Sequence, residues 1–268
     1  MKKKNRYEAI VVEIFKSKYI KGDKEVFFDR DEIDKTAKKL GLDRVKNLGD
    51  LIYSFRFRND FPNEIAKCAP KGKTWTIELV GRSKYKFSLT SAKTARLIPR
   101  ADMASIKIPD ATPEIISKYA LTDEQALLAK LRYNRLIDVF LGITVYSLQS
   151  HMRTTAKSLG GSQIEIDEIY VGINRSGQQF IVPVQAKGGT DQLGGPQIRQ
   201  DIVWCREKFP NLICRAVCSQ FINHGETIAL FELAEQDGEL KVLDEKHYRL
   251  VPAKDISERE LQELKNRD

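Results

Sequence analysis

Two short stretches of this chain end apolar runs on polar side chains whose types and spacing suit proton transfer and charge stabilisation. Residues 163–172 read Gln-Ile-Glu-Ile-Asp-Glu-Ile-Tyr-Val-Gly, and residues 179–187 read Gln-Phe-Ile-Val-Pro-Val-Gln-Ala-Lys. The β-branched content and the Ile164/Ile166 alternation of the first predict a strand, which sets Glu165 and Asp167 on one face. In the second, Phe180, Val182, Val184 and Ala186 point one way while Ile181, Pro183, Gln185 and Lys187 point the other. The turn residues Asn174-Arg175-Ser176-Gly177 join the two into an antiparallel hairpin. The run Phe-Ile-Val-Pro-Val is apolar on both faces, as in a buried central strand. A lysine delivered at the end of such a strand needs a carboxylate partner, because burial of an unpaired charge is too costly. Asp167 and Glu165 can supply it. An ordinary cross-strand ion pair on a solvated face is the simpler reading, but it leaves unexplained why a glutamine and a lysine close an apolar strand. Pro183 argues against a central position, since it removes a ladder donor. Glu168 falls on the opposite face and reads as a surface residue.

These residues resemble the PD-(D/E)XK nuclease superfamily, whose core carries an aspartate on one strand and a (D/E)-x-K triplet on the next, followed by a helix and a further strand. Asp167 matches the aspartate. Gln185-Ala186-Lys187 matches the triplet in the Q-x-K form shown by Mrr-like restriction enzymes, while residues 194–209 read as the helix and 212–221 as the strand. The resemblance spans roughly residues 120–235 and implies phosphodiester hydrolysis with Mg²⁺, for which Mn²⁺ would substitute. Hard oxygen ligands suit that ion, which neutralises the scissile phosphate and acidifies a water. It further implies catalytic roles for Asp167, Gln185, Lys187 and Glu165. Asp167 is then the central ligand, Gln185 a neutral carbonyl ligand, and Glu165 the group that restores the missing charge. Lys187 would orient the water and stabilise developing charge. Glu124 and Asp138, upstream, are alternative additional acidic ligands. Pro109-Asp110 spells the motif's first letters but precedes the helices that should come before the core.

The elements that must hold these residues follow from periodicity. Apolar residues at Ile10, Val11, Ile14, Phe15 and Tyr19 predict a first helix, and Ile33, Ala37 and Leu40, capped by Asp29 or Asp31 and stopped by Gly41, predict a second. A third, over residues 46–58, turns Leu48, Leu51, Ile52 and Phe55 inward and Lys46, Asn47, Ser54, Arg56 and Arg58 outward. Alternating runs at 74–80 and 84–89 form a hairpin with Arg82 and Lys84 near its tip. Three helices and a hairpin resemble the winged helix-turn-helix, which implies DNA contact by the third helix and the tip. Residues 93–118, with Pro99, Pro109 and Pro113, read as a linker. A helix capped by Thr122 runs to Gly142, and a shorter one covers 147–159. The glycine-rich stretch 188–195 either admits a DNA backbone or simply connects strand to helix, and Gln197 and Gln200 beyond it rank low as site residues. The expected architecture is thus an α+β winged-helix-like domain over 1–92, the linker, and a restriction-endonuclease-like mixed sheet flanked by helices over 119–268.

The net charge of +8 is uneven: residues 1–100 hold 25 Lys and Arg against 13 Asp and Glu, whereas the remainder is net acidic. A basic N-terminal part fits a polyanion partner, here double-stranded DNA. With 31% charged residues and a mean hydropathy of -0.41, and no apolar run near the roughly 20 residues of a span, a membrane protein is not expected. No export signal is read at the start, which leaves the cytoplasm as the expected compartment. The four cysteines lack metal-binding spacing and read as reduced thiols. Double-strand cutting by such cores implies a homodimer. The expected activity is that of a type II-like restriction or phage-defence endonuclease. A junction resolvase or other structure-selective repair nuclease, and a non-catalytic DNA-binding regulator, are the alternatives.

Overall fold

The computed structural model describes residues 5–43, 45–119, 123–188 and 193–266, with the side chains of Phe57 and Ser162 left aside. The N-terminal unit begins with α1 (Arg6–Lys18), capped by the Asn5 side chain, followed by β1 (Glu25–Asp29) and α2 (Asp31–Lys39). Neither Asp29 nor Asp31 caps α2; Arg30 occupies the cap position without a side-chain bond, and Glu32 reaches back to the Asp29 N–H at 2.8 Å. Helix α3 (Leu48–Tyr53) continues into a π-helical turn, Ser54–Arg58, before the short α4 (Asn63–Ala66). β2 (Lys73–Gly81) and β3 (Lys84–Ser91) form the expected hairpin, and β1 adds to β3 in an antiparallel sheet of order β1-β3-β2. Phe15, Phe28, Ile33, Leu51, Trp75, Ile77 and Phe87 share the core of this unit.

The segment expected as a linker is largely built into the second unit. Its α5 (Ala92–Ala95) and β4 (Arg96–Leu97) are followed by β5 (Ser105–Pro109), which pairs in parallel with a late strand, and by α6 (Glu114–Tyr119). Proline marks the end of β5 at a sheet edge, where a missing donor is tolerated; the strand was hidden because its run is short and framed by prolines. The expected Thr122 cap lies outside the described residues, and Asp123 caps α7 (Glu124–Tyr133). The single helix expected to reach Gly142 breaks at Asn134 and Arg135, and α8 (Leu136–Leu141) follows, ending at Gly142. Buried Asn134 causes the break: its side chain accepts from Ala111 N and donates to Thr112 Oγ1 and Lys130 O, while Arg135 takes a left-handed φ of 50°.

The helix expected over 147–159 is instead β6 (Thr144–Ala156), an edge strand. Its buried residues are Val145, Met152 and Ala156, spaced like one face of a helix, because a bulge at Ser147/Gln149 breaks the two-residue period. After it come β7 (Ser162–Ile173), β8 (Gln179–Lys187), β9 (Leu193–Gly194), α9 (Gly195–Lys208), β10 (Ile213–Cys214), β11 (Ala216–Ile222), β12 (Thr227–Gln236), β13 (Glu239–Val251) and α10 (Glu258–Lys265). The large mixed sheet has the order β5-β13-β12-β11-β8-β7-β6, with β10 also against β8. One face packs on α7 and α8 through Leu127, Leu131, Val182 and Val184. The other packs on α9 through Ile198, Ile202 and Trp204. The protein is therefore a mixed α/β chain whose large sheet is flanked by helices.

Pro183 sits in a central strand and interrupts its parallel ladder: Arg215 N–H donates to the Ile181 carbonyl at 3.0 Å, and the proline has no N–H to return. The parallel ladder pairs Phe180 and Ile181 with β10 and resumes at Val184 with β11, so the proline falls opposite the break at Arg215. Cys205 and Cys218 are buried, Cys68 and Cys214 half-buried, and all four are free thiols. Among the described residues no helix is long and apolar enough to cross a membrane.

Candidate active site

The site lies where β7 and β8 part. Their antiparallel pairing runs from Ile173/Gln179 to Glu168/Val184 and stops there; β8 continues against β11, and β7 stays with β6. Side chains fill the opening in place of ladder bonds. Asp167 Oδ2 accepts the Ala186 N–H at 2.8 Å, and Gln185 Nε2 donates to the Glu165 carbonyl at 3.0 Å. Buried backbone groups must be satisfied somewhere, and here the motif residues themselves do it.

Gln185 is held at both ends of its amide. Its Nε2 also donates to Asp201 Oδ2 at 2.8 Å, and its Oε1 accepts from Gln197 Nε2 at 2.9 Å. Lys187 Nζ donates to Glu124 Oε1 at 2.7 Å from the first turn of α7. Burial works against the Lys187 charge, yet Asp167 and Glu124 outweigh it and raise its pKa. Asp167 is pushed up mainly by burial, with Glu124 adding to the rise, while Lys187 and the Ala186 N–H pull it back. Asp201, fully buried on α9, is raised well above the usual carboxylate range by desolvation, against the Gln185 hydrogen bond.

The N-terminal unit forms the other wall. A cleft of about 540 Å³ is lined by Asp167, Lys187, Glu124, Glu165, Gln197 and Gln200 on one side and by Ile52, Tyr53, Arg56, Leu79 and Tyr85 on the other. Arg56 Nη2 donates to Gln200 Oε1 at 3.2 Å, and desolvation, only partly offset by Tyr85, Glu78 and Asp201, lowers the arginine's pKa to about 10. The Glu78–Arg199 and Lys73–Glu239 ion pairs also join the units. Gly160, at a φ of +61°, also packs so closely on the end of β2 that a Cβ would lie 2.7 Å from the Val80 carbonyl oxygen.

Of the residues that sequence reasoning placed together, Asp167 and Lys187 line the cleft, Gln185 lies buried behind them against Asp201 and Gln197, and the carboxylate that bonds Lys187 is Glu124, not Asp167 or Glu165. Glu165 lines the same cleft but is turned to Arg153, at 3.2 Å. Of the two upstream acids, Glu124 reaches the site, whereas Asp138 pairs with Arg135 and accepts the Val145 N–H. Glu168 is not a surface residue: it is fully buried, bonded to Arg132 at 2.8 Å and to Ser147 Oγ at 2.8 Å. Asp110 lies beside β5, at the opposite edge of the sheet from β6.

The residues expected to meet DNA are divided. Lys46, Arg58, Arg82 and Lys84 are exposed, and Arg58 lies over the Tyr53 ring, 4.8 Å from its centroid. Asn47 is exposed but its side chain caps α3, accepting from Gly49 N and Asp50 N. Ser54 is buried and Arg56 faces the cleft, because the π turn rotates both away from the outer face expected of a regular helix. Asp201, Tyr53 and Arg153 went unread. The signal for Asp201 was a polar set at 197, 200 and 201 on an otherwise apolar-faced helix. Gly188 packs on the start of α7, and residues 189–192 of the glycine-rich stretch lie outside the described residues.

No family model, no curated protein and no solved structure matches this chain.

Proposed function

We propose that the protein is a metal-dependent DNA endonuclease. The observation that carries the reading is the parting of β7 and β8 at Glu168/Val184, beside which Asp167, Lys187 and Glu124 line one cleft with Gln185 buried behind them. The order of helix, three antiparallel strands, helix and parallel strand, from α7 to β11, supports the likeness to the PD-(D/E)XK core. The order helix–strand–helix–helix–hairpin of the N-terminal unit, with the four-residue α4 inserted before the hairpin, likewise supports the likeness to a winged helix.

Among the described residues no three His, Cys, Asp or Glu side chains gather as a metal cluster. Mg²⁺ needs no such cluster, since it keeps several waters and takes one or two carboxylates plus substrate phosphate. Asp167 and Glu124 fit that role: they line one cleft, and burial, with the Glu124 charge adding to it, raises Asp167. Gln185 fits less well, because Gln197, Asp201 and the Glu165 carbonyl already occupy its amide. Glu165 stands further out, paired with Arg153. The ion would neutralise the scissile phosphate and lower the pKa of the attacking water. Lys187 donates to a phosphate oxygen and stabilises the charge that develops there. The water oxygen would bond to phosphorus as the P–O bond to the leaving strand breaks, the water giving one proton to solvent and the leaving oxygen taking one from it.

A restriction or phage-defence role, double-stranded DNA as partner, Mn²⁺ as a substitute, a homodimer and a cytoplasmic setting belong to the same proposal. The test is cleavage of plasmid and phage DNA with Mg²⁺ and with EDTA, comparing the native chain with Asp167→Ala and Lys187→Ala. Metal-requiring fragments that vanish in both variants are expected. Binding without cutting, unchanged in both, would replace the enzyme with the regulator reading.

A further inference from the structure

The wall contributed by the N-terminal unit bears on what the cleft can hold. The two units are pinned together by Arg56–Gln200 at the cleft and by the close packing of Gly160 on the end of β2. Its volume of about 540 Å³ lies inside the roughly 300–1,000 Å³ range of pockets that enclose one drug-sized ligand. One nucleotide is of that size. A paired duplex carries a second sugar–phosphate strand and requires the two units to move apart.

The wall chemistry points the same way. Tyr53 is 37% exposed and lines the same cleft as Lys187 from the N-terminal wall. The Arg58 guanidinium lies over its ring. An aromatic face with an arginine beside it is the platform on which single-stranded sites stack bases, a contact open to every base because each has a π-face. Arg153 and Lys187 stand on the opposite wall, where the phosphate would lie. Gln200 adds a feature of an incomplete site. Arg56, which has only donors, holds Oε1 and so fixes the amide, leaving Nε2 buried and without a partner among the described residues.

We infer, resting on the nuclease reading, that the cleft takes one unpaired nucleotide of a DNA strand, its base stacked against Tyr53 and its phosphate held between Lys187 and Arg153. The substrate class is therefore a single strand, a flap or a nucleotide extruded from a duplex, and the structure-selective form of the nuclease is favoured over cutting within undistorted duplex.

The experiment uses three oligonucleotides labelled with 2-aminopurine: a single strand, a duplex with an unpaired flap and a blunt paired duplex. Each is titrated with the full chain in Ca²⁺, reading fluorescence and affinity, and separately incubated with Mg²⁺, reading cleavage. Quenching of the unpaired base and at least tenfold tighter binding of the single strand and the flap are expected. Tyr53→Leu should weaken that binding by roughly 5- to 150-fold, the range of one base stack, and abolish the quench, while Tyr53→Phe restores both. A thermal melt establishes that the Leu variant is folded. Equal affinity for blunt duplex, or binding and fluorescence indifferent to Tyr53→Leu, would overturn the inference. Tyr53-dependent binding with no cleavage of any substrate would remove the nuclease reading alone. Cleavage of paired duplex undiminished in Tyr53→Leu would remove the inference alone.

Discussion

Lys187 Nζ and Glu124 Oε1 stand 2.7 Å apart, joining the end of β8 to the first turn of α7. The pair ties the lysine to an element some sixty residues upstream, and it is the contact by which an acidic residue before the hairpin reaches the cleft. Glu124→Gln keeps the shape and removes the charge. Cleavage should fall by roughly 10- to 100-fold, the usual loss when a group beside a metal site is neutralised, with the fold retained by circular dichroism. Activity equal to the native chain would assign Glu124 to structure alone.

The same lysine gives an alkaline signature. Its folded pKa lies above the ordinary 10.5, desolvation being outweighed by Asp167 and Glu124. A raised basic group contributes stability that is complete below the unfolded pKa and is lost as pH rises through the folded value. From about pH 10.5 upward the native chain should therefore lose melting temperature more steeply than Lys187→Met. Parallel curves would show that the amine is no better solvated by its partners than by water.

Asp201 makes the opposite prediction. Desolvation raises its carboxyl well above 3.8, so between 3.8 and the folded value the native state holds more protons than the unfolded chain. Stability is therefore lost as pH rises across that window and is flat on either side. Asp201→Asn keeps an acceptor for Gln185 Nε2 and has no charge to bury. It should melt higher than the native chain near neutral pH, by about 2–4 °C for each kcal/mol gained, and the two should converge below about pH 4. A native chain that melts higher at neutral pH would mean that Asp201 is ionised in the fold.

The sequence disclosed the hairpin β7–β8 and its polar ends because one strand alternates and the other is uniformly apolar, and both patterns are local. It disclosed the wrong element for 144–156 because a bulged edge strand buries too few residues to show a two-residue period. The buried Glu168 was misread for a related reason: face assignment by alternation fails to reveal that Arg132, thirty-six residues earlier, comes to cover the outer face. The second wall of the cleft was illegible altogether. Only the π turn at Ser54–Arg58 sends Arg56 toward Gln200, and no spacing in the sequence distinguishes that turn from ordinary helix.

The Arg132–Glu168 pair is itself a stability determinant. Glu168 is fully buried while Arg132 remains 46% exposed, so water reaches the arginine but not the acid. Arg132→Ala strands the carboxylate with only the neutral Ser147 and Tyr170 hydroxyls beside it among the described residues. The loss should lie toward the lower end of the about 3–5 kcal/mol typical of broken buried pairs, because solvent enters the vacated space. The double variant Arg132→Leu with Glu168→Leu should recover most of it in urea unfolding. A double variant no better than the single one would place the cost in packing instead of in the uncovered charge.

Gly195 opens α9 at its closest approach to α5, and a Cβ there would stand 2.1 Å from the Thr94 carbonyl oxygen. That oxygen belongs to backbone and cannot swing aside, so Gly195→Ala must shift the start of the helix. Overpacking of this kind costs about 1–3 kcal/mol. Its consequence for the site is more specific, since Gln197 and Asp201 on α9 are the groups that hold the Gln185 amide. Displacing them should lower cleavage beyond what the stability loss explains at a temperature where the variant is fully folded. Gly177→Ala is the control: it lies in the β7–β8 turn at a φ of +77° with nothing within 4 Å of its Cβ. It should lose about 1–2 kcal/mol from backbone strain and keep its turnover. If both variants lose stability but neither loses activity, the alignment of α9 on Gln185 is not what positions the site.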